Sequence, residues 1–217
     1  MSAFSAFLDI LFPPRCVFCR RFLRSSSQLI CEECKKALPY TEGGGEKTGE
    51  FFSVCFAPLY YEGNVRESLH RFKFKGATAY SKAYGKLLAL CIKENLSGRY
   101  DLISWVPLSR KRLKERGYDQ AMLLAMAAAL ELDDVAVSTL EKTLEAEKQS
   151  LMGSAEKRRA NISGAYRVSD PELVDGKRIL LIDDIVTTGS TLSECAKTLL
   201  AAGASEVLCA AVARTRE

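Results

Sequence analysis

A chain of 217 residues with 47% apolar content can bury a full hydrophobic core and leave a small appendage beside it, and it is too apolar for a disordered chain. The formal net charge of +4 is only mildly basic, so bulk charge does not point to nucleic acid, although cations cluster between residues 110 and 116. The eight cysteines are too regularly placed for a disulfide scaffold, since four of them fall in two C-x-x-C pairs, a usage that fits a reducing cytoplasm.

The opening residues 1–12 are apolar but carry Asp9, lack a basic start and run into Pro13-Pro14. They read as a short docked helix, with neither a secretion signal nor a membrane span. Next come Cys16-Val17-Phe18-Cys19 and Cys31-Glu32-Glu33-Cys34. Each C-x-x-C presents two thiolates from one tight turn, and two such turns close a four-sulfur shell, so Cys16, Cys19, Cys31 and Cys34 are expected to ligate a structural zinc ion. A redox pair and a ribbon that keeps its cysteines without metal are the alternatives. Residues 1–40 are thus expected to form the helix and zinc ribbon. The polar, glycine-rich stretch from 41 to 50 then reads as a linker to a main domain over 51–217.

Aromatic and β-branched residues over 51–61 suggest one or two strands. Asn64 suits the cap of a helix bearing Val65, Leu69 and Phe72, with a second helical pattern over 80–92. On the first of these helices His70 reads as a surface residue, Phe72 and Phe74 as core, and Lys73 as a cation within reach of a phosphate. From residue 100 the elements alternate: a strand over 102–106, a helix over 119–130, a strand within 134–140, a polar stretch over 141–161, a strand over 165–168, another entering at 179, a helix to about 202 and a strand over 206–212. The implied fold is α/β, a parallel sheet with helices on both faces. The polar stretch exceeds ordinary loop length and hints at a lid. Cys55, Cys91, Cys195 and Cys209 lie in apolar segments and read as core residues.

The run Ile179-Leu180-Leu181-Ile182-Asp183-Asp184-Ile185-Val186-Thr187-Thr188-Gly189-Ser190-Thr191 carries the most chemistry. Four unbroken apolar residues suit a strand buried on both faces. Ligands of open α/β sheets bind outside the carboxyl ends of their strands, where Asp183 and Asp184 would accept hydrogen bonds from a sugar's vicinal hydroxyls. The small hydroxylated turn Thr187, Thr188, Gly189, Ser190 and Thr191 then opens a helix, whose free N–H groups and dipole favour a phosphate monoester. At the end of the earlier strand, Val106-Pro107-Leu108-Ser109-Arg110 faces the same crevice. Five cations against one carboxylate over 110–116 suit a leaving group such as magnesium pyrophosphate. A solvated helical face is the bland alternative for Lys111, Arg112 and Lys114.

The apolar-DD-apolar-TTGST run resembles the 5-phosphoribosyl 1-pyrophosphate (PRPP) motif of type I phosphoribosyltransferases. Together with the four-cysteine ribbon, the Leu69 to Gly76 segment, Val106 to Gln120, Gln149, Arg158 with Asn161, and Ala165-Tyr166, it makes the whole chain similar to the ComF family of competence-associated, phosphoribosyltransferase-like proteins. The resemblance implies a type I phosphoribosyltransferase fold with a small N-terminal zinc ribbon, in a cytoplasmic protein. It implies that Asp183 and Asp184 hold the ribose while Thr187 to Thr191 grip the 5-phosphate. Lys73, Ser109, Arg110 and Arg116 would neutralise pyrophosphate with magnesium, and Arg158 would close over the site. A nitrogen acceptor, unidentified, would take the phosphoribosyl group. For some members it also implies single-stranded DNA and a competence helicase as partners. A non-catalytic, nucleic-acid-handling or scaffolding role that keeps the PRPP pocket is the alternative. One departure stands out: the family's Arg-Gly-Phe-Asn-Gln is here Arg116-Gly117-Tyr118-Asp119-Gln120, and a carboxylate at 119 would repel pyrophosphate unless it faces a metal or a cation.

Overall fold

The computed structural model describes residues 13–143 and 164–216. The expected helix over 1–12 and most of the polar stretch, including Gln149 and Arg158, lie outside them. The elements in chain order are α1 (Glu32–Ala37), β1 (Cys55–Phe56), β2 (Leu59–Tyr60), α2 (Gly63–Phe74), α3 (Ser81–Asn95), β3 (Leu102–Trp105), α4 (Arg110–Arg116), α5 (Gln120–Glu131), β4 (Leu140–Lys142), β5 (Tyr166–Val168), α6 (Pro171–Val174), β6 (Arg178–Val186), α7 (Ser190–Ala201) and β7 (Glu206–Arg214).

β6 is the central strand because its apolar run needs cover on both faces. It pairs in parallel with β3 on one side and β7 on the other, and β1 and β2 add to the far edge of β7, also in parallel. Successive side chains alternate between faces. Leu180 and Ile182, with Leu208 and Ala210 of β7, pack under α2, α3 and α5, against Leu69, Tyr84, Leu88 and Leu124. Ile179 and Leu181, with Val207 and Cys209, pack under Leu192, Cys195 and Leu199 of α7. Cys55, Cys91, Cys195 and Cys209 are all buried thiols.

The expected strand within 134–140 shrinks to one parallel bridge, Ile103 to Ala136. The chain arrives through Asp133 at a φ of 54° and leaves Val135 68% exposed, so only the Val137 N–H, donating to the Ile103 carbonyl at 2.9 Å, joins the sheet. Thr139 then meets Ser104, hydroxyl to hydroxyl at 2.7 Å, and the chain turns away. β4 and β5 make a separate antiparallel ribbon, so the strand expected at 165–168 forms outside the parallel sheet. Asn64 does not cap α2. The N-cap position is Glu62, whose carboxylate accepts from Arg216 Nε and Nη2, each at 2.8 Å, and bonds no helix N–H.

The glycine-rich stretch runs along the sheet edge, with Tyr40 bridging Leu59 and Lys47 bridging Cys55. Gly45 sits where an added Cβ would lie 2.4 Å from the Ala57 carbonyl oxygen. In the ribbon, the first knuckle closes through Cys16 N–H to the Arg21 carbonyl and Arg20 N–H to the Cys16 carbonyl. The second opens α1, with Cys31 as N-cap. Cys16, Val17 and Phe18 share one packed cluster with Phe72 of α2 and Tyr84 of α3.

Gly85 of α3 lies close against α5, where a Cβ would fall 2.6 Å from that of Ala127. Gly85→Ala must therefore spread two helices that lie over β7 and β6. It is expected to cost about 1–3 kcal/mol, read as a lower denaturation midpoint at unchanged slope.

Candidate functional site

Four elements converge on the carboxyl end of β6. Strand alternation sends Asp183 to the α7 face and Asp184 to the α2 face. Asp184 Oδ2 is paired with Lys73 Nζ at 2.9 Å, both side chains mostly withdrawn from solvent. Asp183 Oδ1 accepts the Asp184 N–H at 2.7 Å. Burial, and then the charge of Asp184, push the Asp183 carboxyl well above the usual carboxylate range, against the pull of that N–H and of Lys73. The site thus holds one carboxylate neutralised by a lysine and one that tends to keep its proton.

The second wall follows β3. Ser109 is buried and caps α4, its Oγ accepting the Arg112 N–H at 3.3 Å, and Gly117 ends that helix at a φ of 79°. Asp119 caps α5 by accepting the Met122 N–H on Oδ1 at 3.1 Å and reaches back to accept the Leu108 N–H on Oδ2 at 2.9 Å. Both oxygens are occupied by backbone donors, so the residue ties the 107–109 turn to α5. That accounts for an acid at this position, and burial raises its pKa besides. Arg116 donates to Gln120 Oε1 at 2.6 Å and lies over the Phe74 ring at 4.8 Å. Desolvation lowers its pKa, opposed mainly by the charge of Asp184.

The third element is the turn before α7. Gly189 has a φ of 82°, and a Cβ there would come within 3.3 Å of the Phe52 ring, so glycine is required both by conformation and by space. Thr188 Oγ1 and Ser190 Oγ lie 2.7 Å apart. Gly189, the N-cap of the 12-residue α7, has no side chain to cap it, and Thr188 Oγ1 accepts the Ser190 N–H at 3.3 Å, so the first turn of this helix meets a hydroxylated turn of the kind that suits an anion.

Between these walls is a cavity of about 210 Å³. It brings together Lys73, Ser109, Arg116, Asp183, Asp184 and Thr191. Its volume is below the roughly 300 Å³ of small ligand pockets, and the Lys73–Asp184 pair is part of its wall. Thr187, Thr188 and Ser190 stand in the adjoining exposed turn. Arg110 is the exposed first residue of α4 and does not line the cavity, whereas Arg112 does. Arg112 precedes Arg116 by one helical turn, and that spacing is the signal that singles it out. Tyr166, already part of the family resemblance, and Lys142, which no local motif marks, also line the cavity from the β4–β5 ribbon. Phe74, expected in the core, is 57% exposed. Tyr118 is turned inward, its hydroxyl donating to the Phe72 carbonyl.

Away from this crevice, the four Sγ atoms of Cys16, Cys19, Cys31 and Cys34 lie within 4.8 Å of one another. Cys19 and Cys31 are 3.6 Å apart, near the ~3.8 Å edge of a tetrahedron with Zn–S bonds of ~2.3 Å. Two N–H groups, of Cys31 and Cys34, point at sulfurs of the set at 3.4 Å, the pattern that stabilises thiolates. The donor set fits a structural zinc.

A family described as "Double zinc ribbon domain" matches residues 7–54, and one described as "Phosphoribosyl transferase domain" matches residues 114–217. Competence protein F of Haemophilus influenzae is 29% identical over 215 residues, covering 89% of this chain and 93% of that protein. DNA utilization protein YhgH of Escherichia coli K12 is 34% identical over 158 residues, 68% of this chain and 66% of that one. Competence protein ComFC of Bacillus subtilis is 32% identical over 143 residues, 66% and 56% of the two chains. The chain thus spans just under two thirds of YhgH and just over half of ComFC. Among solved structures, glutamine PRPP amidotransferase from B. subtilis is 22% identical, with a TM-score of 0.43 over 61% of this chain and 26% of that one.

The purified chain is expected to carry about one tightly held zinc, and Cys31→Ser to lose it. Elemental analysis finding no zinc, with four freely titratable thiols in the ribbon, would contradict this assignment.

Proposed function

The chain belongs to the ComF family, in which a zinc ribbon precedes a phosphoribosyltransferase fold, and from that membership we propose that it binds PRPP and transfers the phosphoribosyl group to a nitrogen acceptor. The observation that carries the reading is the Lys73–Asp184 pair, which joins the expected ribose-binding acid to an expected pyrophosphate-binding cation in one cavity. An arriving ribose replaces Lys73 on Asp184, and Asp183 and Asp184 accept its two hydroxyls. The 5-phosphate takes the Thr187 to Thr191 turn and the first N–H groups of α7. The freed Lys73, with Ser109, Arg112 and Arg116, meets the pyrophosphate. Arg110, and Arg158 from the sequence alone, are the further cations proposed to reach its outer oxygens. Magnesium would arrive as part of the substrate and offset charge on the leaving group, and the carboxylate oxygens of Asp183 and Asp184 suit such a hard cation. As the anomeric C–O bond breaks, its electron pair leaves with pyrophosphate. The acceptor nitrogen's lone pair forms the new bond to carbon and the acceptor loses a proton. Arg116 acts from a desolvated position, where its charge is least screened.

The relatives named for competence and DNA utilization support assigning this chemistry to the handling of DNA that has been taken up. A second reading, a nucleic-acid-handling component, is favoured by the exposed cations Lys111 and Lys114 on α4. It predicts single-stranded DNA binding that weakens steeply with salt and loses part of that slope in Lys111→Ala/Lys114→Ala. A slope equal to that of the wild type would sink it.

Asp183→Asn and Asp184→Asn are each expected to weaken PRPP binding in magnesium by about 1.5–3 kcal/mol, by calorimetric titration. Wild-type binding no tighter than that of the double variant would contradict the proposal. Asp183→Asn has a second consequence. The folded chain keeps a proton on this group through a pH window in which the unfolded chain has lost it, so stability falls as pH rises through that window. The amide variant should flatten that fall and melt no lower than the wild type near neutral pH, while binding less PRPP. Thermal melts across pH would show a steeper fall in the variant if the assignment were wrong.

A further inference from the structure

The zinc knuckle and the sugar-phosphate cavity are joined through one helix. Val17 and Phe18 stand between the ligands Cys16 and Cys19, so closing the metal shell fixes the direction of their carbonyl groups. Those carbonyls are held by α2. Ser68 Oγ donates to the Val17 carbonyl at 2.6 Å. Arg71 Nη2 donates to the Val17 and Phe18 carbonyls at 3.1 and 2.6 Å. Arg71 Nε is buried without a hydrogen-bond partner among the described residues, and Nη1 has only a 3.7 Å ion pair with the exposed Glu67, so the short hydrogen bonds of the guanidinium are those to the knuckle. The hydroxyl of Ser68 also meets the Tyr84 hydroxyl at 2.5 Å, and Tyr84 packs edge-on against both Phe18 and Phe72. On the other side of Phe72, Tyr118 bonds its carbonyl. The next residue is Lys73, on Asp184.

We propose that Ser68 and Arg71 are positioning residues through which the zinc knuckle sets the placement of Lys73, so that affinity for the phosphorylated ligand depends on an intact metal shell. The inference rests on the reading of the crevice as a PRPP site and adds a remote control to it. Its physical basis is the rigidity of a buried helix turn: Ser68, Arg71 and Phe72 are fixed by hydrogen bonds or packing, which leaves little freedom for where Lys73 emerges.

The test is a double-mutant cycle read by calorimetric titration of zinc-loaded chain with PRPP in magnesium. Arg71→Ala is expected to bind about tenfold more weakly while retaining its zinc, with Arg71→Lys recovering part of the loss. The loss should vanish when Lys73 is already Ala, since nothing remains to position. Equal losses with and without Lys73 would overturn the inference. If Arg71→Ala does not fold, Ser68→Ala enters the same cycle. If the wild type shows no PRPP binding, the functional reading fails. The positioning claim is then judged by amide hydrogen exchange over residues 69–75 in the Ser68 or Arg71 variant. Faster exchange reaching residue 73 supports it, and unchanged exchange overturns it.

Discussion

Two adjacent half-buried carboxylates that follow a buried apolar run call for a cation, and the arrangement of this molecule follows from how that need is met. In this crevice burial, and then the charge of Asp184, raise the pKa of Asp183. A lysine sits on Asp184, and the Asp183 carboxyl is shifted above the usual carboxylate range, toward its neutral form. Such a pair costs stability, which the flanking all-apolar packing of β6 and β7 offsets.

The covering helices therefore do more than shield the sheet. α2 supplies Lys73 from one face and holds the zinc knuckle with the same turns. α7 presents its N-terminus from the other face, opened by Gly189 against Phe52. Between them, Asp119 uses both carboxylate oxygens on backbone donors, and so sets the turn that carries Ser109. An asparagine offers one acceptor where the aspartate offers two, which gives this departure from the family pattern a structural reason.

Contiguous signals were legible in the sequence. The unbroken apolar run, its two acids and the hydroxylated turn occupy neighbouring positions, so strand, crevice and helix start follow from local rules. The C-x-x-C pairs carry their geometry in their spacing. Interactions that join distant segments were not legible. Nothing local links Lys73 to Asp184, or Arg71 to the carbonyls of a cysteine knuckle. The segment at 134–140 has strand composition, yet a positive φ at Asp133 and the pull of Ser104 on Thr139 leave it one bridge. Phe74 has the spacing of a core residue but emerges at the helix end beside Arg116. The glycine-rich stretch at 41–50 has linker composition and nonetheless pairs with the sheet edge, because glycine also permits close backbone approach.

The central claim is that one crevice exchanges its internal lysine for a ribose. A crystal structure of the zinc-loaded chain with magnesium and PRPP tests it most directly. The account predicts that Lys73 has left Asp184 for the pyrophosphate, that the ribose hydroxyls lie within hydrogen-bond distance of Asp183 and Asp184, and that the 5-phosphate sits on the α7 N-terminus. PRPP bound elsewhere, or bound with the Lys73–Asp184 pair still closed, would contradict it.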